Sequence, residues 1–158
     1  MKRYYSLLLI IPIMLSCQEK LVVNADSVDT ITYVFFDSSV PPKYHRSFVI
    51  NLTHTSVDIT VDSYGDILAE DSIAIRPEDF NHVIEVINEA RLVSFESKVD
   101  DCEGGTGERL SITVSGEEVY VGNFDHCGGN VIPAKAGAVQ NVVETITSLI
   151  PNFQEYLK

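Results

Sequence analysis

The chain has 158 residues, of which 45% are hydrophobic and 22% charged. That is enough apolar material for one domain with a core, and it excludes a mainly disordered chain and a multi-domain enzyme. Lys and Arg number 11 against 23 Asp and Glu, a formal net charge of -12, which is the wrong sign for a nucleic-acid binder or for polybasic attachment to anionic lipid.

Residues 1–16 have the order of a secretory signal: basic Lys2-Arg3, the apolar run from Leu7 to Leu15, then small Ser16. The run is too short to span a bilayer, which takes ~20 apolar residues. Met14-Leu15-Ser16-Cys17 resembles the lipobox of bacterial lipoproteins. The resemblance implies that the Cys17 thiol receives a diacylglycerol, that the signal is cut before Cys17 and that the new amino terminus is acylated. The chain would then be held to the membrane through Cys17. Several acyl chains anchor stably where a single one does not. Position 18 is Gln rather than Asp, and the same resemblance then implies the outer membrane rather than the inner one. In style the segment is similar to small envelope lipoproteins of Bacteroidetes. Cleavage removes two cations and no acids, leaving 9 bases against 23 acids. Residues 17–29, polar with Asn24, Asp26, Ser27 and Asp29, read as a tether, and residues 30–158 as a single domain.

Thr30 to Phe36 is β-branched and aromatic, which predicts a strand. The Asp37–Pro42 stretch breaks it. Phe48, Ile50 and Leu52 alternate in a second strand. After a turn at residues 53–56, Val57, Ile59 and Val61 alternate with Asp58, Thr60 and Asp62 in a third. A turn at residues 63–66 leads to a fourth strand ending at Ile75. The period then changes: Pro77 opens a helix, with Glu78 and Asp79 favourably placed in its first turn. Phe80, Val83, Ile84 and Ile87 keep helical spacing, and the helix is expected to end near Leu92 or Val93. Residues 94–108 read as an acidic, glycine-bearing loop. A second helix after Pro133 carries Val139, Val142, Val143, Ile146 and Leu149-Ile150, and Pro151 stops it. The order β-β-β-β-α-β-β-α predicts an α+β fold: an antiparallel sheet of about six strands with two helices packed on one face.

Between the helices, Leu110, Ile112 and Val114 alternate, then Val119 and Val121. Gly116 suits the first central position of a type II′ turn. Centring the turn on Gly116-Glu117 puts Val114 opposite Val119, Ile112 opposite Val121, and Cys127 opposite Thr106. Cys102 and Cys127 remain once Cys17 is assigned to lipid. In an exported protein they are expected to form a disulfide. The alternative is zinc on Cys102, His126 and Cys127 with an aspartate, but the Cys-x₂₋₄-Cys spacing of structural zinc is missing.

No motif names a reaction. His45, His54, His82 and His126 show no paired spacing and read as scattered surface histidines. Gly104-Gly105-Thr106-Gly107 lacks the Lys-Ser/Thr of a phosphate loop, and Glu103 and Glu108 would repel phosphate. Asn51-Leu52-Thr53 matches a glycosylation triplet, which a bacterial lipoprotein would not normally use. Asp100, Asp101, Glu103, Glu108 and Asp125 are expected to converge beside the disulfide, as a solvated acidic face rather than a Ca²⁺ cage. The expected function is that of a non-catalytic cell-envelope lipoprotein binding another protein, in an assembly, inhibitor or immunity-type role. A basic protein is expected to dock near Asp100, Asp101, Glu103 and Asp125. The alternative is a small hydrolase, or a ligand- or cation-binding lipoprotein using the acidic loop. Neither metal nor cofactor is expected.

Overall fold

A computed structural model describes residues 20–96, 104–127 and 134–158. Seven strands form one sheet in the order β4-β3-β2-β1-β6-β7-β5. The strands are β1 (Val28–Phe36), β2 (Ser47–Leu52), β3 (Ser56–Ser63), β4 (Asp66–Ala74), β5 (Phe95–Glu96), β6 (Thr106–Val114) and β7 (Glu117–His126). Six of them pair antiparallel, as the alternating patterns predict. The two-residue β5 adds a parallel edge, Phe95 opposite Gly122, within the stretch expected to be loop. A Cβ at Gly122 would collide with the Tyr120 phenol and come 3.2 Å from the Phe95 ring. The glycine therefore lets this edge close.

One face of the sheet is apolar because every second residue points the same way. Ile31 of β1 lies between Leu52 of β2 and Ile112 of β6, and Ile50 lies opposite Ile59 of β3. These side chains are fully buried. Helices α1 (Pro77–Ala90) and α2 (Ala134–Ser148) cover that face. Their Phe80, Val83, Ile84 and Ile87, and Val139, Val142 and Ile146, join the strand residues in one core. Helix α1 stops at Ala90 because Arg91 turns left-handed, φ 49°. A short α3 (Phe153–Tyr156) follows Pro151, and Phe153 sets its ring edge-on to Phe48 at 5.3 Å.

The β6–β7 hairpin differs from the expected register by two residues beside the turn and by one beyond the bulge. Its two loop residues are Ser115 and Gly116, both with positive φ (53° and 79°), the condition of a type I′ turn. Val114 therefore faces Glu117, and Ile112 faces Tyr120. Thr106 faces His126, not Cys127. A bulge ejects Val119, leaving it 42% exposed. The gain is burial of two large aromatic rings, Tyr120 and Phe124, in place of two valines.

Residues 21–28 do not run free as part of a tether. The Leu21 N–H donates to the Leu92 carbonyl at 2.9 Å. The Asn88 side chain brackets Val23, accepting from its N–H and donating to its carbonyl, both at 2.9 Å. A 3₁₀ turn over Ala25–Ser27 then delivers Val28 into the core. The signal, Cys17 and the start of the tether lie outside the described residues.

Candidate functional site

Two features of the described residues bear on function: a partly buried polar chain across three strands, and the sheet face that no helix covers. The polar chain begins with Glu108 on β6. It lies in phase with Leu110 and Ile112, so strand alternation aims a carboxylate toward the core side. A carboxylate there needs donors, and two converge on it. The Tyr33 hydroxyl of β1 donates to Glu108 Oε2 at 2.7 Å. The His126 ring of β7 bonds Oε1 through Nε2, also at 2.7 Å. An ionised carboxylate only accepts, so in that state Nε2 carries the hydrogen. The His126 ring also stands edge-on to Phe124, centroids 5.3 Å apart.

Burial, then the hydrogen bond to Glu108 and its charge, push the Tyr33 phenol far above its usual range. Burial alone pushes the Tyr120 phenol up to about 12. Both folded values exceed the unfolded value near 10. The stabilisation is therefore complete below pH ~10 and is lost as pH rises toward and through the folded values. In alkaline titration, phenolate absorbance from Tyr33 and Tyr120 is expected to appear only together with loss of near-ultraviolet dichroism. A Tyr33→Phe chain should keep its fold to higher pH than wild type. Phenolates forming at these positions while the fold persists would contradict this.

Two of the four histidines, His45 and His126, depart from the scattered-surface expectation. His45 is buried, stacked on Tyr64 with centroids 4.0 Å apart, and its Nε2 lies 3.3 Å from Ser47 Oγ. His54 Nε2 bonds the Val28 carbonyl at 2.8 Å, and its ring lies against Phe80. His126 is the member of the carboxylate chain. His54 and His82 stay exposed, His82 with its ring 3.7 Å from Glu85. Polar contacts between strands distant in sequence explain the difference, and side-chain spacing does not report these.

The expected acidic convergence is also corrected. Glu108 and Asp125 belong to adjacent registers, Glu108 facing Phe124 and Gly107 facing Asp125. They therefore point to opposite faces of the sheet. Asp100, Asp101, Glu103 and Cys102 lie outside the described residues. The proposed disulfide would leave Cys127 no thiolate to offer zinc. Among the described residues no three His, Cys, Asp or Glu side chains are grouped to hold a metal ion.

The second feature is the outer face, opposite the helices. Its central rows run Asp58-Asn51-Thr32-Ser111-Val121 and Glu70-Thr60-Val49-Val34-Arg109-Asn123 across the strands. Thr32 bonds Asn51 and Ser72 bonds Asp58, which fixes these side chains across strands. Acids sit toward the margins: Asp58, Asp62 and Glu70 on β3 and β4, Asp125 on β7. Among the described residues of its central rows Arg109 is the cation, held by Glu118 at 2.8 Å. Ile67 and Leu68 of the edge strand β4 are exposed beside it. Compared with protein-family models, curated proteins and solved structures, the chain matches none.

Proposed function

We propose that this is a lipid-anchored cell-envelope protein with no catalytic role, whose domain binds another protein through the uncovered sheet face. The observation that carries the reading is that face: broad, hydrogen-bonded into a fixed surface, and rimmed by Asp58, Asp62, Glu70 and Asp125. An acidic rim around a polar and β-branched centre suits a basic protein surface, whose encounter it would speed. The loop acids Asp100, Asp101 and Glu103 are part of the same proposal. The anchor is Cys17, on the lipobox resemblance, and the location is the outer membrane. An assembly partner, an inhibitor target and an immunity-type partner all fit this surface chemistry.

The anchor has its own test. The envelope form is expected to have the mass of residues 17–158 plus acyl groups. Cys17→Ser should release the protein from the membrane fraction, and a variant that stays equally attached would remove the anchor from the account. For the partner, recovery of a basic protein from the native envelope with the lipidated chain is the first requirement. Its binding should weaken with Glu70→Gln and Asp125→Asn.

A second reading, a hydrolase or a ligand-binding lipoprotein, has one observation in its favour. The Tyr33–Glu108–His126 chain is how a carboxylate orients an imidazole for proton transfer. The binding reading is preferred because Glu108 is nearly enclosed and its two donors are fully accounted for by a buried carboxylate's need.

A further inference from the structure

We propose that the corner formed by Lys20, Val22 and Val119 rests on the lipid surface, so that the domain is held in one orientation. The inference depends on the proposed acylation of Cys17 and adds a geometry to it. The Leu21 N–H is fixed to the Leu92 carbonyl, and Val23 is bracketed by Asn88. The chain from Cys17 to Leu21 is thus four residue steps, which span at most about 14 Å when fully extended. An acylated Cys17 must sit at headgroup depth, so this corner cannot stand far from the bilayer.

What the corner presents fits that neighbour. Val22 is 78% exposed and Val119, ejected by the β7 bulge, 42%. Between them lies a shallow cavity of about 260 Å³ whose lining includes Lys20, Leu92 and Ser94, with no acid among the described residues that line it. Two exposed apolar side chains beside a lysine can seat at the interface, with the ammonium reaching phosphate. The opposite corner follows from the sheet order. Tyr64, in the β3–β4 turn, lies four to five strand spacings away, about 20–24 Å. It also lies at the other end of the strands, since Val61 aligns through Phe48, Phe35 and Glu108 with Phe124 rather than with Tyr120. The Tyr64–Ile67–Leu68 corner would therefore point away from the membrane, toward a soluble partner.

The chain contains no tryptophan, so a single introduced one reports its own position. The test uses residues 17–158 with the disulfide intact and the Cys17 thiol coupled to a maleimide phospholipid. The vesicles contain phosphatidylethanolamine and phosphatidylglycerol, with and without bromine on the upper acyl chain. Val22→Trp and Val119→Trp fluorescence is expected to fall roughly twofold with the brominated lipid, as for groups seated ~5–10 Å into the interface. Tyr64→Trp should be unaffected. Both valines are exposed, so the larger ring needs no repacking. Equal quenching at all three positions would show a domain that tumbles, and quenching at none while the protein stays vesicle-bound would show a corner that does not touch lipid. Either result overturns the proposal. Chemical coupling bypasses natural acylation, so failure of the anchor reading appears separately, in the mass of the envelope form.

Discussion

Ile31→Ala is expected to destabilise the domain by about 2–5 kcal/mol, the range for removing a fully buried isoleucine side chain beyond its β-carbon. Ile31 is fully buried on the strand at the middle of the sheet. Its registered neighbours, Leu52 and Ile112, are themselves fully buried. Hydrogen bonding on both sides of β1 keeps the backbone from closing the space, so the upper part of the range is expected. Against a typical domain stability of 5–15 kcal/mol this is a large fraction. Urea unfolding should show a lower midpoint at unchanged slope. Ile67→Ala, on the exposed edge strand, should change stability by no more than about 0.5 kcal/mol. Equal costs at the two positions would contradict the placement of the core.

Loss of the proposed Cys102–Cys127 bond is the second large effect. Cys102→Ser is expected to cost roughly 2–5 kcal/mol, of which closing ~25 residues supplies roughly 3 in the chain-entropy model. Cys127 follows the last registered pair of the hairpin, Thr106 with His126. The bond would thus clamp the open end of β6 and β7, where Glu108 and His126 meet. A local consequence follows: the Tyr33 phenol should become easier to ionise in Cys102→Ser, because its partner carboxylate is held less firmly. Non-reducing peptide mapping should recover the linked pair, and quantitative thiol labelling of both cysteines in material taken from the envelope would contradict it.

The sheet and helices were legible because burial imposes a period. Val57, Ile59 and Val61 alternate with acids and threonine, and Phe80, Val83, Ile84 and Ile87 recur at helical spacing, so class and element order follow from the chain alone. The hairpin register was not, because Val119 and Val121 offered a self-consistent apolar face. What decides against them is the pair of positive φ angles at Ser115 and Gly116, together with the larger area of Tyr120 and Phe124. The two-residue β5 is too short to carry a period. The Tyr33–Glu108–His126 chain joins residues up to 93 positions apart, and which strands neighbour one another is not written locally. One signal was there: an acid at position 108 in phase with Leu110 and Ile112 requires buried partners. The tether from Leu21 onward was misleading for the opposite reason, since its polar residues serve turns and caps, as Asn24 does for the 3₁₀ turn.

The central claim, a basic partner held on the outer face, is tested most directly by association kinetics. The partner recovered from the envelope would be measured against wild type, a Glu70→Gln/Asp125→Asn chain, and an Asp100→Asn/Asp101→Asn/Glu103→Gln chain, at several ionic strengths. Exposed charges are screened beyond ~8 Å at physiological salt, so a steered encounter slows as salt is added. The account predicts that wild-type association is fast and salt-sensitive, and that each set of neutralised acids slows it and flattens its salt dependence, with urea midpoints unchanged. Association rates and salt dependence identical in all three chains would contradict it, and the acids would then be a solvated surface only.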